Sequence, residues 1–295
     1  MRVALLGFGL IGGSIARALR EAPDRAAWHV TAWSPSGAGP RRAAADGVIA
    51  EASGDAAATL RDAELVVLAA PPSATLDRLE WLARARGTTL DPAAVVTDVA
   101  STKGTIVRRA AELGLRFVGG HPMAGRETAG YDASSADLFH DRPWVVVPGD
   151  ADDLAAILAV ETLAVACGGR PVRLGADAHD AAVAAISHLP LVLAAALVEA
   201  VAGAGEEPAD WPLARELAAS GWRDMTRLAR GDVSMGAGIA ATNAPALAAR
   251  VRAVVAVLDG WLAELERPGG PDEAAVAERL RAARSRLDPP SEAGA

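Results

Sequence analysis

"RVALLGFGLIGGSIARAL", residues 2–19, decides how the chain is read. A charged start, an apolar run and small residues from Ser14 to Ala18 suit a secretory leader. The same letters suit the phosphate-grasping turn that opens a nucleotide-binding domain. Context separates the two. Gly7, Gly9 and Gly12 spell G-x-G-x-x-G directly after an apolar strand pattern, Val3 to Leu6, and directly before a helical one. In that setting the first glycine permits a tight turn and the second lets a pyrophosphate approach the backbone. The third lets helix pack closely on strand, and the anion sits at the helix N-terminus. The single cysteine, Cys167, allows no intrachain disulfide, which fits a reducing compartment rather than export. The expected cofactor-binding set is Gly7, Gly9, Leu10, Ile11 and Gly12, with Ser34 after the second strand pattern and Ala70 and Pro71 after the third.

Beyond the glycine turn, short apolar runs alternate with alanine-rich helical stretches: His29–Trp33, Leu65–Ala69, Val95–Thr97, Phe117–Val118 and Trp144–Val147. Strands separated by helix-length segments predict an α/β, Rossmann-like, doubly wound parallel sheet, which binds ligands beyond the carboxyl ends of its strands. Pro71-Pro72 puts a loop at one such end. After a last strand-like piece, Pro171–Leu174, the pattern becomes almost wholly helical. The expected organisation is a dinucleotide-binding domain over 1–175, an all-α substrate-binding and dimerisation domain over 176–289, and a frayed tail over 290–295.

A net charge of -8 with no basic block disfavours broad nucleic-acid or anionic-membrane binding. The longest stretch free of Asp, Glu, Lys and Arg, Ala181–Val198, carries Ser187, His188 and Pro190 in its middle. It is too short and polar for a membrane span and reads as a buried helix. Of the 29 basic residues, 28 are arginine and one, Lys103, is lysine. Lys103 is either a chance survivor or a position where a planar fork cannot replace a point charge.

The cofactor's identity stays open. An acid at the end of the second strand normally bonds the adenosine ribose 2′-hydroxyl, whereas here "TAWSPSG" (31–37) puts Ser34 in that place. Serine lacks the charge that repels a 2′-phosphate. Arg41 and Arg42 follow, either within reach of such a phosphate or as a solvated helix start, so NAD and NADP both stand.

Histidine is the best proton acceptor near neutral pH, and there are five. His29 opens a strand, and His140 and His179 lie in charged surroundings; all three read as ordinary surface or core-edge residues. His121 follows "RFVGG" and begins "HPMAGRETAG" (121–130), a glycine-punctuated loop expected at the carboxyl edge of the sheet. An unperturbed imidazole acting there as base predicts activity rising through a pH of about 6.5. "TDVASTKG" (97–104) leaves a strand at the same edge, where Ser101 and Thr102 suit either a substrate hydroxyl or the cap of the next helix. In "WRDMTRLAR" (222–230), Arg223, Arg227 and Arg230 share one face of a continuous helix. Pro190 in "SHLP" (187–190) should kink its helix at a cost of about 3 kcal/mol, and His188 taken alone reads as a core histidine.

The ordered set "GFGLIGGS", "TDVASTKG", "FVGGHPMAGRETAG", "SHLP" and "SGWRDMTRLARGD" resembles the prephenate dehydrogenase family, which includes the arogenate dehydrogenases of tyrosine biosynthesis. The likeness runs from the first strand to about Asn243. It implies oxidative decarboxylation of a cyclohexadienol, prephenate to 4-hydroxyphenylpyruvate or arogenate to tyrosine, with NAD or NADP, no metal, and a cytoplasmic homodimer. It also implies that His121 is the catalytic histidine, Ser101 its partner on the substrate hydroxyl, and Arg227 the cation for the ring carboxylate, with Thr102, Ser187 and His188 as further substrate contacts. Two departures bear on substrate choice. Leu191 stands where many members have a histidine, and "GDVSMGAGIAATN" (231–243) lacks a proline and a tryptophan common there. Two alternatives are weaker: a hydroxyacid dehydrogenase that uses a lysine from its helical domain, since none follows residue 103, and a non-enzymatic dinucleotide sensor, which has no use for His121, Ser101 and Arg227 together.

Overall fold

The computed structural model describes residues 1–126, 128–149 and 153–287. Its first half alternates as the apolar pattern predicts: β1 (Arg2–Leu6), α1 (Leu10–Glu21), β2 (His29–Trp33), α2 (Ala38–Ala45), β3 (Glu51–Ala52), α3 (Ala56–Thr59), β4 (Leu65–Leu68), α4 (Pro72–Ala85), β5 (Val95–Asp98), α5 (Gly104–Glu112) and β6 (Phe117–Pro122). After these come β7 (Pro143–Val147), α6 (Leu154–Ala166) and β8 (Arg170–Arg173). Among the described residues the strands form one sheet in the order β3-β2-β1-β4-β5-β6-β7-β8. The first six have the Rossmann order and are parallel.

Two features differ from the expected sheet. β7 runs antiparallel to β6, and β8 follows β7, so the sheet is not parallel throughout. Among its described residues the segment joining β6 to β7 holds only a short 3₁₀ turn, Tyr131–Ala133, and without a helical crossover the chain returns beside β6 in the opposite sense. β6 also outlasts its apolar run. His121 is a strand residue paired with Val145, not part of the glycine loop.

Neighbouring strand residues face opposite sides, and both sides are covered. Val3, Leu5, Val67 and Val95 pack with Ile15 and Leu19 of α1 and Val160 and Leu163 of α6. Ala4, Leu6, Val66, Leu68 and Val96 pack with Leu79 and Leu82 of α4 and Ile106 of α5. That double burial explains why the strands read as continuous apolar runs rather than alternating ones.

The helical part begins with α7 (Ala176–Val183), which passes through a π turn at Ala184–His188 into α8 (Leu189–Ala202). Pro190 brings no N–H to the helix, and the widened turn immediately before it is where the ladder yields. Next come α9 (Trp211–Glu216), α10 (Ser220–Thr226), a 3₁₀ turn at Arg227–Arg230, α11 (Val233–Thr242), α12 (Ala244–Leu265) and α13 (Glu273–Ser285). Because α10 ends at Thr226, Arg223, Arg227 and Arg230 do not share one continuous α-helical face.

By its internal contacts the chain divides into two compact units, Met1–Leu247 and Ala248–Ala295. Close contacts tie α11 to two of the helices that cover the sheet, α4 and α5. Thr105 donates to the Thr242 carbonyl at 3.0 Å, and Gly238 lets α11 lie against Pro72 and Ser73 of α4. In the second unit Arg279 stacks 4.3 Å from the Trp261 ring centre and donates to the Val257 carbonyl, while Asp272 caps α13. The expected tail at 290–295 lies outside the described residues.

The buried-helix reading of Ala181–Val198 needs correction. Within that stretch only Val183, Ala184, His188 and Ala194 are buried, and Ile186 is 69 % exposed. The run Ala176–Ala202 is also the one helix among the described residues long and apolar enough to cross a membrane, with 22 % of its most apolar window buried. A single chain leaves this face uncovered.

Leu5 is fully buried where β1 meets α1. Leu5→Ala should cost about 2–5 kcal/mol, read as a lowered denaturant midpoint.

Candidate active site

The glycine turn passes a steric test for a dinucleotide. Gly7 has φ of +108°, and a Cβ there would overlap the Ala69 carbonyl oxygen; a Cβ on Gly12 would overlap the Gly7 carbonyl oxygen. Nothing lies within 4 Å of a Cβ built on Gly9. The first and third glycines are therefore demanded by packing, and the second faces open space at the start of α1, where an anion would approach. Two cavities of about 610 Å³ each meet there and share Gly9, Ala69, Ala70 and Pro71 as walls. One runs past Trp33 and Ser34. The other is walled by Leu10, Ile11, Val99, Ser187, Leu191 and Arg227. Every expected cofactor residue but Gly12 lines one or both, and Gly12 serves the turn by packing.

At the carboxyl edge of β5 and β6 the chain builds a buried polar cluster. Asp98 and Lys103 are both fully buried and form an ion pair. The Asp98 carboxylate also accepts from the Gly120 amide at 3.1 Å and the Ala100 amide at 3.0 Å. Gly119 and Gly120 leave room for the pair, since a Cβ on either would press on Lys103 or on the Asp98 carbonyl. Burial raises the Asp98 pKa and lowers that of Lys103, each opposed by the other's charge.

His121 stands at the end of β6 with Nδ1 2.8 Å from Nε2 of His179, and Nδ1 of His179 is 2.8 Å from Oδ1 of Asp180. His179 is 1 % exposed, which corrects its reading as an ordinary surface or core-edge residue. No sequence spacing announces it, because the pair spans 58 positions and forms only when α7 docks on the sheet edge. Asp180 further accepts from the Lys103 and Gly104 amides, both at 2.8 Å, capping α5 from a different helix. Burial works against its charge, but the bonds from His179 and these amides hold its carboxyl below the usual range.

The hydrogen-bond roles follow from this chain. A carboxylate only accepts, so His179 donates from Nδ1; with both rings neutral its Nε2 accepts from His121 Nδ1–H. His121 then keeps a lone pair on Nε2. Burial, followed by the neighbouring charges of His179, Lys103 and His188, holds the His121 pKa well below the ordinary value.

The other expected residues divide. Arg227 and Ser187 line the second cavity, as does Leu191. His188 is fully buried, with Nδ1 accepting from Asn243 at 3.1 Å; its Nε2 makes no hydrogen bond of good geometry and has the Ser101 backbone beside it. Ser101 is half-buried in the turn after β5. Thr102 is corrected: it is fully buried, with its hydroxyl 2.7 Å from that of Thr242, so it joins α5 to α11 instead of lining the cavity. His29 and His140 are exposed.

Two family models divide the chain between them. "Prephenate dehydrogenase, nucleotide-binding domain" matches residues 15–173 and "Prephenate dehydrogenase, dimerization domain" matches 175–268. The chain belongs to the prephenate dehydrogenase family. It is 32 % identical over 268 residues to the cyclohexadienyl dehydrogenase of Zymomonas mobilis, covering 90 % of this chain and 86 % of that one. To the prephenate dehydrogenase of Bacillus subtilis it is 30 % identical over 268 residues, 90 % of this chain and 68 % of that one. The Synechocystis arogenate dehydrogenase structure superposes with a TM-score of 0.76 at 31 % identity, over 98 % of this chain and all of that one. Family membership thus rests on both halves of the chain.

Burial lowers the pKa of His188 to about 4, opposed by Asp180. Unfolded histidine protonates near a pH of about 6.5, so below that value the unfolded chain binds more protons than the folded one and stability falls as pH drops towards 4. The urea midpoint at pH 4.5 should lie below that at pH 7, and the difference should shrink in His188→Asn; equal midpoints would contradict the burial argument.

Proposed function

We propose that this chain oxidatively decarboxylates prephenate or arogenate in tyrosine biosynthesis, using NAD or NADP. The observation that carries this reading is the chain Asp180–His179–His121, which leaves one imidazole nitrogen basic at the carboxyl end of β6. Residues 1–175 hold the cofactor; the helices after 175 complete the substrate site and form the contacts of a homodimer. Covering the exposed face of Ala176–Ala202 with a second copy gives that apolar helix a role in a cytoplasmic protein without a membrane.

The reaction needs three things from the protein: orientation of the hydroxyl-bearing carbon, a base for the hydroxyl proton and cations for carboxylates. His121 Nε2 takes the hydroxyl proton, and His179 and Asp180 fix the ring and stabilise the charge it gains. Ser101 positions the same hydroxyl. Arg227 binds the ring carboxylate through its planar fork until the carboxylate leaves as carbon dioxide and its bonding pair makes the ring aromatic. His188, with Nδ1 occupied by Asn243, offers Nε2–H as a buried donor. The oxidised nicotinamide, when bound, supplies the hydride acceptor. Leu191 puts an apolar side chain on the wall where a histidine is common, so the substrate's side chain meets one polar contact fewer.

His121→Asn should lower kcat by roughly 10²- to 10⁴-fold with dinucleotide affinity retained; near-normal turnover would remove it as the base. Because the imidazole is already neutral well below the ordinary histidine value, kcat should stay flat from pH 8 to 6.5 and fall only below that. A profile still rising through 6.5 would contradict the buried cluster. Arg227→Ala should raise KM for the substrate by at least about tenfold, and an unchanged KM would take Arg227 out of the site.

A further inference from the structure

The cavity beside β2 holds a second recognition problem. Its charged wall residues are Arg42, Arg78 and Asp132, a net positive set, and Ser34, Ser36 and Tyr131 supply hydroxyls. Ser34 caps the end of β2 where an acid would accept a ribose 2′-hydroxyl and repel a phosphate there. The Ser34 carbonyl accepts from Gly37, closing a tight turn that brings the start of α2 to the cavity.

Each cation is held differently. Arg78, half-buried on α4, stacks with its guanidinium carbon 4.5 Å from the Trp33 ring centre and 6.0 Å from that of Trp81. Among the described residues it makes no hydrogen bond or ion pair, so its five N–H donors are positioned by the indoles and left unspent. Arg42 pairs with Asp132 at 2.6 Å, but both side chains are mostly exposed, and such a pair exchanges easily for a dianion. Arg41 is excluded: it donates to the Ser36 carbonyl, folds over Gly37 and does not line the cavity.

We infer that this cavity selects a 2′-phosphorylated dinucleotide, with Arg78 and Arg42 clamping the 2′-phosphate and Ser34 and Ser36 donating to it, so that NADP⁺ is preferred over NAD⁺. The inference rests on the dinucleotide reading of the glycine turn. Arg78 is the specificity residue that matters most, because it reaches the phosphate without first breaking another bond.

Isothermal titration of the intact chain with 2′,5′-ADP and with 5′-AMP isolates this cavity from the nicotinamide half. The former should bind at least about tenfold tighter, with the gap narrowing as salt rises. NADP⁺ over NAD⁺ should show the same order. Arg78→Ala should close most of the gap while 5′-AMP affinity changes less than about threefold, and Arg78→Lys should keep part of it. Equal affinities in the wild type, or a gap unchanged in folded Arg78→Ala and Arg42→Ala variants, would overturn the inference and leave the dinucleotide reading intact. Failure of both NAD⁺ and NADP⁺ to bind would instead overturn that reading.

Discussion

The Asp180 carboxylate joins three parts of the molecule that sequence keeps far apart. One oxygen takes the His179 ring and the Lys103 amide, the other takes the Gly104 amide, and the residue's own carbonyl accepts from Asn243 at 2.9 Å. A single side chain thereby caps α5, docks α7 on the sheet edge and orients the histidine pair. Removing the carboxylate would leave two helix-start amides and an imidazole N–H without their acceptor, each buried or nearly so. The helical layer and the reactive imidazole therefore depend on the same few hydrogen bonds.

Around that carboxylate the charges are arranged so that His121 stays neutral. Burial comes first among the causes, and near neutrality the Lys103 ammonium adds positive potential. Asp98 balances Lys103 from directly beneath, held by two amides of its own. A base held neutral by burial is ready at any pH near neutrality, and the proton it takes is paired through His179 to the Asp180 carboxylate. The low dielectric that makes the cluster costly to assemble also strengthens each bond within it.

Much of the fold is visible in the letters because both faces of the central strands β1, β4, β5 and β6 are buried, so each declares itself as an apolar run; β3 is two residues long and carries Glu51, and β8 reads Arg-Pro-Val-Arg with no residue buried. The glycine turn is equally legible, since steric demand at Gly7 and Gly12 leaves no other residue a place. What escaped was decided by contact across sequence. His179 looks like a surface histidine among charged neighbours until α7 brings it against His121. Thr102 looks like a cap, yet the cap of α5 comes from Asp180, which frees the threonine hydroxyl for Thr242. Arg41 and Arg42 are adjacent letters with opposite fates, and Arg78 gains its place only through stacking on Trp33. The long apolar helix reads as core by composition, and only packing reveals that one chain leaves it uncovered.

Asp180 dictates which nitrogens of the two rings carry protons, and nitrogen-15 NMR of the imidazoles in the intact protein at neutral pH reads that pattern directly. His179 and His121 should both carry their proton on Nδ1, with His121 Nε2 unprotonated and open to a substrate hydroxyl. A proton on His121 Nε2, or a doubly protonated ring there at pH 7, would contradict it.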